Sequence, residues 1–357
     1  MNILVRVDVS QTIGFGHLFR AIKISKYFNA KKVIFLINSS SEKIYKVLRG
    51  KKITFETIRS KKITNKSIEK VQDKNIQIID ANKTVEIAKY YKVKLILIDD
   101  YKKDYVWHKV IKNNKINLAV IDDLNDKKVY CDLYINLNKK KKKIRHNFLL
   151  KSCKIINGHT NNPFLFKNFK KKYALKINRI HVCLSSATKK NFVINIIKTI
   201  NNFQKKNKSQ SKLKINIFST SYDFLFLKSL KFDFLNIKYF NNSKSYLDDL
   251  KKSDLGIGFA GMSMFDRISY LLPSINFSIS KNQNISLKDD YLKKFMYGSP
   301  LKTNHLISYD IKKKLTFFLK NEKLRKKIFN NLNKLPEKKD LKLKKKLREF
   351  VHEIKRN

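Results

Sequence analysis

A glycine loop followed by a histidine is the stretch of this chain most able to do chemistry. Residues 13–20 read Ile-Gly-Phe-Gly-His-Leu-Phe-Arg, after an apolar run at residues 3–7 and before a helical pattern that starts near Leu18. In α/β proteins a strand, a glycine loop and a helix start present backbone N–H groups and the positive helix end to a ligand. His17 can exchange protons near neutral pH. The spacing predicts a ligand loop with His17 as a general base.

Two further features bear on the chemistry of this first loop. Arg6 and Asp8 close the first predicted strand, where functional groups gather in α/β sheets, and either a structural Arg–Asp pair or contact with a substrate would explain them. The Gly-x-Gly pattern has no third glycine, and the next predicted strand ends at Asn38 with no acidic residue to bind a ribose. Both absences argue against a nicotinamide cofactor, and no cofactor is expected.

Strand-like and helical segments alternate along both halves of the chain. Apolar runs such as residues 95–98 lack polar alternation, as expected for strands of a parallel sheet that helices cover on both faces. Strands are predicted at residues 2–7, 32–37, 94–98, 117–121, 132–136, 179–184, 213–218, 236–240, 254–258 and 274–278. Helices are predicted at residues 17–28, 41–49, 84–92, 104–113, 190–206, 244–251, 262–271 and 286–296, and from residue 308 onward.

These two alternating series predict an α/β protein with two doubly wound, Rossmann-like domains that face each other across a ligand cleft. The expected divisions are a first domain at residues 1–150, a connection at 151–176, a second domain at 177–330 and a basic helical tail at 331–357. Lysine runs, Gly158 and the Asn161-Asn162-Pro163 turn mark the connection.

Several motifs occur in the same order as in one known enzyme family. The N-terminal set comprises Arg6, Asp8, Ser10, Gly14, Gly16, His17 and Arg20. Further matches lie at residues 98–101, Trp107, residues 121–124 and residues 131–133. The second half adds residues 260–266, 272–274 and 281–283. Over residues 1–300 the chain resembles the UDP-2,4-diacetamido-2,4,6-trideoxy-β-L-altropyranose hydrolases of pseudaminic acid synthesis.

The resemblance implies the two-domain GT-B-like fold of metal-independent glycosyltransferases and the release of UDP from a UDP-linked diacetamido-trideoxy sugar. Relatives from related nonulosonic acid pathways look similar, so the exact sugar stays open. His17 is the expected catalytic base. The expected substrate-binding residues are Arg6, Asp8, Gly14, Gly16, Arg20, Tyr101, Asn282 and Gln283. The expected nucleotide-binding residues are Ser185, Ser186, Gly261, Ser263 and Asp266.

The chain departs from the family pattern in its second half. Ser185 and Ser186 stand where the family has two glycines, and serine tolerates a positive φ poorly. Asp266 replaces a glutamate that would accept ribose hydroxyl groups, and it is one methylene shorter. Two alternatives therefore stay open. One is a glycosyltransferase of the same fold, and the other is a non-catalytic binder of nucleotide sugars or polyanions.

Composition narrows the class of protein. The chain has 357 residues, 42% of them hydrophobic, with only 8 glycines and 4 prolines, which indicates a globular protein. The net charge of +52 comes from lysines spread over the whole chain, so no specific nucleic-acid partner is expected. No apolar run is long enough for a transmembrane segment. Cys131, Cys153 and Cys183 form no C-x-x-C pair, which predicts neither disulfides nor a zinc site and favours a cytoplasmic location.

Two smaller expectations concern the acidic pairs and assembly. Asp99-Asp100 and Asp122-Asp123 follow predicted strands, and they are interpreted as solvated strand ends rather than metal ligands, so no metal is expected. The oligomeric state is left open by the sequence.

Overall fold

Two parallel β-sheets organise the chain, each in its own compact unit. Unit 1 comprises Met1–Pro163 and Leu341–Asn357, and unit 2 comprises Phe164–Asp340. The computed structural model describes residues 1–9, 15–39, 42–58, 72–137, 152–183, 190–207, 211–218, 232–240, 243–278, 280–301, 307–337 and 342–356. The predicted connection at residues 151–176 contains a strand of unit 1, and the division between the units falls after Pro163.

Unit 1 is built on a seven-stranded parallel sheet within the described residues. Its strands are β1 (Asn2–Asp8), β2 (Lys32–Asn38), β3 (Thr54–Thr57), β4 (Val93–Asp99), β5 (Asn117–Ile121), β6 (Leu133–Asn136) and β7 (Lys154–Asn157), in the spatial order β3-β2-β1-β4-β5-β6-β7. Its helices up to this point are α1 (Gly16–Ser25), α2 (Glu42–Gly50), α3 (Lys74–Tyr90) and α4 (Tyr105–Asn113). A 3₁₀ turn at Lys26–Phe28 follows α1.

Unit 2 repeats this plan with a six-stranded parallel sheet in its described part. Its strands are β8 (Arg179–Cys183), β9 (Leu213–Phe218), β10 (Leu235–Phe240), β11 (Leu255–Phe259), β12 (Ser274–Ser278) and β13 (Tyr297–Pro300), in the order β10-β9-β8-β11-β12-β13. Its helices are α5 (Lys190–Lys206), α6 (Ser243–Lys252), α7 (Met262–Ser269), α8 (Lys281–Lys288), α9 (Ile307–Lys320) and α10 (Glu322–Asn333).

The strand order reverses once in each sheet, and that point positions the candidate site. In unit 1 the chain passes from β1 to β2 on one side and later to β4 on the other, so β1 and β4 flank the reversal. In unit 2 β8 and β11 do the same. Ligands of open α/β sheets bind at the carboxyl ends of the strands beside such a reversal. The loops after β1, β4, β8 and β11 are therefore the candidate ligand-binding loops.

The C-terminal helix α11 (Lys342–Arg356) belongs to unit 1. It contacts the 3₁₀ turn at Lys26–Phe28. It buries one apolar face, made of Leu343, Leu347, Phe350, Val351 and Ile354. Lys154 on β7 forms an ion pair with Glu353 of α11. The predicted helical tail is confirmed, and its last helix is part of unit 1.

Ten predicted strands occur at or within one residue of their expected positions, but three short edge-region strands were not predicted. Strand β3 reads Thr-Phe-Glu-Thr and β13 reads Tyr-Gly-Ser-Pro, and neither has the apolar run of a buried parallel strand. Strand β7 lies in the predicted connection. The helix predicted at residues 286–296 is wrong in its bounds, because α8 ends at Lys288 and only a 3₁₀ turn at Leu292–Lys294 follows.

Two cysteines that are distant in sequence lie side by side in unit 1. The Sγ atoms of Cys131 and Cys153 are 3.6 Å apart, and both thiols are free. They are neighbours because β6 and β7, which follow them, pair in parallel. Sequence spacing gave no sign of this contact.

Among the described residues, no helix combines the length and the apolar content needed to cross a membrane.

Candidate functional site

The start of helix α1 places two polar side chains over the carboxyl end of the first sheet. Helix α1 begins at Gly16, and its N-cap residue Phe15 makes no side-chain capping bond. No acidic residue lies in the first turn. His17 and Arg20 are three residues apart, so they project from the same face of the helix. His17 reaches the end of β4, and Arg20 reaches the ends of β4 and β5.

His17, Arg20, Asp99, Tyr101 and Asp123 form one connected cluster, the Arg20 network. Nδ1 of His17 lies 2.7 Å from Oδ1 of Asp99. Arg20 donates to both oxygens of Asp99, from Nε at 2.7 Å and from Nη2 at 2.5 Å. Its Nη1 atom donates to Oδ2 of Asp123, which also accepts from the Tyr101 hydroxyl at 2.9 Å. The carboxyl ends of β4 and β5 are thus tied to one turn of α1.

The charges in the Arg20 network stabilise one another. Burial alone would raise the pKa of Asp99, but the Arg20 guanidinium and the hydrogen bonds hold it well below its usual range. Burial would lower the pKa of Arg20, and the carboxylates of Asp123 and Asp99 raise it instead. Burial, with the charge of Asp123, raises the pKa of Tyr101. Asp99 is therefore anionic and Tyr101 a neutral hydrogen-bond donor around neutral pH.

The contacts of His17 fix the role of each ring nitrogen. Asp99 is anionic, so its oxygen accepts and Nδ1 of His17 carries the hydrogen. Nη2 of Arg20 also lies 3.2 Å from Nδ1, but its shorter contact is the 2.5 Å bond to Asp99. Nε2 then holds the lone pair of the neutral ring. The Tyr101 ring meets the imidazole edge-on, with 4.7 Å between ring centres.

Arg6 and Asp8 belong to a second, fully buried cluster, the Arg6 network. Arg6 donates to Asp8 at 2.5 Å and to both oxygens of Asp80 at 3.2 and 2.6 Å. The Trp107 indole N–H donates to Asp80 at 2.8 Å, and the ammonium group of Lys103 lies within 4.0 Å of Asp8 and closer to Asp80. The Arg6 side chain is wholly buried. Its described contacts are those of a structural ion network beneath the site.

The paired carboxylates differ from the sequence interpretation. All four, Asp99, Asp100, Asp122 and Asp123, are buried rather than solvated. Asp100 lies 3.3 Å from the Lys103 ammonium group, and Asp122 accepts from the Tyr134 hydroxyl at 2.9 Å. The expectation of solvated strand ends is wrong because cations and hydroxyls from distant segments compensate their burial. The sequence indicates only that these carboxylates lie at strand ends. Their hydrogen-bond and ion-pair partners come from distant segments and depend on tertiary contacts.

In unit 2, the predicted residues gather where β11 passes into α7. Gly261 is the N-cap of α7 and, like the N-cap of α1, makes no side-chain capping bond. Ser263 is the second residue of the helix. A Cβ atom built on Gly261 would lie 3.9 Å from Nε2 of Gln283, so the starts of α7 and α8 are close together. Asn282 is the second residue of α8.

Asp266 lies one turn further along α7, and it accepts a hydrogen bond from the Tyr246 hydroxyl at 2.9 Å. Tyr246 in turn packs against the rings of His181 and Phe218. Asp266 is therefore oriented by packed residues of unit 2.

Three predicted site residues, Gly14, Ser185 and Ser186, lie outside the described residues.

A second histidine–carboxylate pair provides an internal comparison. Nδ1 of His181 lies 2.7 Å from Oδ2 of Asp249, the same separation as in the His17–Asp99 pair. The His181 side chain is fully buried, whereas the His17 side chain is 11% exposed. Burial lowers the pKa of His181. Of these two pairs, the one at His17 is accessible to water.

No protein-family model matches this chain, and no curated protein does. Solved structures match over nearly its full length. MurG from Acinetobacter baumannii is 12% identical, with a TM-score of 0.61 over 99% of each chain. A glycosyltransferase from Rickettsia africae ESF-5 is 12% identical, with a TM-score of 0.56 over 100% of this chain and 99% of that one.

A third similar structure is UDP-GlcNAc 2-epimerase from Neisseria meningitidis bound to UDP-GlcNAc. It is 11% identical to this chain, with a TM-score of 0.56 over 100% of both chains. Identities this low show the fold and nothing finer. The predicted fold class is confirmed: the chain has the GT-B fold, with two parallel Rossmann-like sheets and a helical C-terminal segment.

Proposed function

We propose that this chain is a hydrolase that releases UDP from a UDP-linked 2,4-diacetamido-2,4,6-trideoxy sugar, in a pathway to pseudaminic or a related nonulosonic acid. The ordered motifs at residues 1–300 support the substrate class. The GT-B fold supports it independently, since similar structures include one bound to UDP-GlcNAc. The observation that carries the proposal is the Asp99–His17 pair at the start of α1, partly open to water.

The Arg20 network suits His17 to act as a general base. With Nδ1–H held by Asp99, the lone pair of Nε2 accepts a proton from water. The water oxygen bonds to the anomeric carbon as the bond from that carbon to the phosphate oxygen breaks. The bonding electrons leave with UDP. Asp99 stabilises the imidazolium that forms, as the acidic member of a catalytic triad does for its histidine.

Catalysis also needs help for the departing phosphate, because UDP gains negative charge as it leaves. We assign that task to the start of α7, where Gly261 leaves room for close approach and backbone N–H groups lack side-chain caps. Ser263 adds a hydroxyl donor. Asp266, held by Tyr246, is the candidate acceptor for ribose hydroxyl groups. Gln283, whose amide nitrogen lies near Gly261, is a candidate for the phosphate or an acetamido group.

A glycosyltransferase is the second candidate. The similar structures include a protein named as a glycosyltransferase, and the same base would activate an acceptor hydroxyl in place of water. The two reactions share a donor and differ in the nucleophile. They are therefore distinguished by what the reaction requires, since a transferase needs an acceptor and a hydrolase does not.

The test is to incubate the full-length protein with the UDP-linked diacetamido sugar, with and without an acceptor alcohol, and to follow UDP release. The hydrolase proposal predicts release in water alone and a loss of about 10²-fold or more in His17→Ala. His352→Ala, at an exposed position on α11, is the matched control and is expected to retain full activity. Release only with an acceptor would establish the transferase. Tight UDP binding without release under either condition would indicate a non-catalytic binder.

A further inference from the structure

Arg267 of α7 is a fully buried cation lying across the end of strand β11. Two glycines of that strand make room for it. A Cβ atom on Gly256 would lie 2.5 Å from Cδ of Arg267, and one on Gly258 would lie 2.6 Å from its Nη1 atom. A side chain larger than hydrogen would meet Arg267 at either position, and at Gly258 it would also meet the Cys183 carbonyl oxygen at 2.5 Å. The two glycines thus leave the space that the Arg267 side chain fills.

The Arg267 guanidinium is held by neutral oxygen atoms. Nη2 donates to the carbonyl of Phe259 at 2.8 Å and to Oδ1 of Asn276 at 2.5 Å. Nη1 donates to the Ser263 hydroxyl at 3.3 Å. Arg267 therefore joins the last residue of β11, a buried residue of β12 and the first turn of α7. These contacts fix the turn that contains Gly261.

The charge of Arg267 is incompletely compensated within the described part of unit 2. No carboxylate there forms an ion pair with it, and its buried Nε atom makes no hydrogen bond. The nearby ionisable groups are Cys183, Tyr246 and Asp266, and burial outweighs them, so the pKa of Arg267 is lowered. Arginine nevertheless stays protonated in proteins. Burying such a cation unpaired is costly, which predicts a compensating anion.

The position of the charge indicates where that anion binds. The positive end of α7 begins at Gly261, two residues before Ser263, and has no acidic residue in its first turn. A buried cation and an uncapped helix start thus contribute positive potential to the same turn. The Asp266 carboxylate attracts Arg267 but does not offset its burial, and it accepts a hydrogen bond from Tyr246.

We propose that Arg267 is a positioning residue for a nucleoside diphosphate, which it favours by fixing the β11–α7 turn and by supplying buried positive charge beneath it. Arg267 acts through Ser263 and the turn rather than by touching the nucleotide. The inference rests on the proposed function for the identity of the ligand. It goes beyond that function because it makes Arg267, which is not among the predicted nucleotide-binding residues, responsible for tighter binding of UDP than of uridine.

The experiment compares binding of UDP and uridine by calorimetry, in the full-length wild-type chain and in Arg267→Met. Methionine fills similar volume without the charge. We expect UDP affinity to fall by about 10- to 100-fold while uridine affinity changes by less than about threefold. Arg267→Lys keeps a cation and is expected to recover part of the loss. The matched control is Arg325→Met, which removes another buried arginine of unit 2, one that bonds the carbonyls of Phe318 and Leu319.

A merely structural role predicts equal losses for UDP and uridine, and that result would overturn the inference. A wild-type chain that binds UDP no better than uridine would overturn it too. If Arg267→Met fails to fold, Asn276→Leu tests the same link, because it removes an acceptor that holds the Arg267 guanidinium and leaves both the charge and Ser263 in place. An unchanged UDP-to-uridine ratio in Asn276→Leu would then count against the proposal. If the wild-type chain binds UDP but releases none from the UDP-linked sugar, the hydrolase proposal is rejected. The comparison of UDP and uridine binding then still decides the role of Arg267.

Discussion

Nδ1 of His17 lies 2.7 Å from Oδ1 of Asp99, although 82 positions separate the two residues in the chain. The contact exists because α1 starts above the carboxyl end of β4, where Asp99 is the last strand residue. Arg20 holds the same carboxylate from the next turn of α1. The candidate base is therefore oriented by a carboxylate that is itself fixed by two hydrogen bonds.

The first prediction concerns Asp99→Asn. The amide keeps the shape of the carboxylate but carries no charge, so it neither fixes the Nδ1–H tautomer nor stabilises an imidazolium. We expect kcat for UDP release to fall by roughly 10²- to 10⁴-fold, with little change in UDP affinity. Asp132→Asn is the control, because Asp132 forms an ion pair with Lys112 at 2.7 Å away from the Arg20 network. A kcat within threefold of wild type in Asp99→Asn would contradict the assigned role.

The second prediction is a pH dependence of stability. The pKa of Asp99 is lowered in the folded state, whereas in the unfolded chain it is about 3.9. Its stabilising contribution is therefore complete above about pH 4 and is lost as the pH falls through the folded-state pKa. The difference in free energy of unfolding between wild type and Asp99→Asn is expected to shrink from pH 7 to pH 3. Urea titrations followed by fluorescence measure it, because the single tryptophan, Trp107, is buried in unit 1. A difference that grows with acidity would refute the prediction.

The third prediction distinguishes a structural from a substrate-binding Arg6. Arg6→Met leaves Asp8 and Asp80 buried without their main cation, which is expected to lower the free energy of unfolding by about 3–5 kcal/mol. The same fluorescence titration measures the loss. Arg49→Met, which removes an exposed ion pair with Glu42, is expected to change it by less than about 1 kcal/mol. A variant of unchanged stability with a raised KM would instead indicate that Arg6 contacts the substrate.

The fourth prediction tests the space around Arg267. In Gly256→Ala the new methyl group would lie 2.5 Å from Cδ of Arg267, and its next neighbours would be 3.1 Å away. We expect a loss of about 1–3 kcal/mol in the free energy of unfolding, measured by circular dichroism, together with weaker UDP binding. Gly50→Ala is the control, because no atom lies within 4 Å of its added methyl group. Equal behaviour of the two variants would mean that β11 is not shaped around Arg267.

The fold could be predicted largely from local pattern, whereas the site could be predicted only in part. Apolar runs such as residues 95–98 identify buried parallel strands because both faces of the strand are covered. The short edge strand β13 contains glycine and proline and carries no such signal. His17 and Arg20 were identified by spacing and resemblance. Their connection through Asp99 and Asp123 spans up to 103 positions and depends on tertiary packing. Arg267 was missed because its distinguishing feature is the pair of glycines on the neighbouring strand.

The proposed hydrolase depends on attack by water at the anomeric carbon of a UDP-linked diacetamido sugar. The decisive experiment runs the reaction in water enriched in ¹⁸O and determines the mass of the UDP product by mass spectrometry. Attack at carbon breaks the carbon–oxygen bond, so we expect UDP without ¹⁸O, formed in the absence of any acceptor and lost in His17→Ala. UDP that carries ¹⁸O would place the attack at phosphorus and contradict the mechanism, and absence of UDP release would contradict the hydrolase itself.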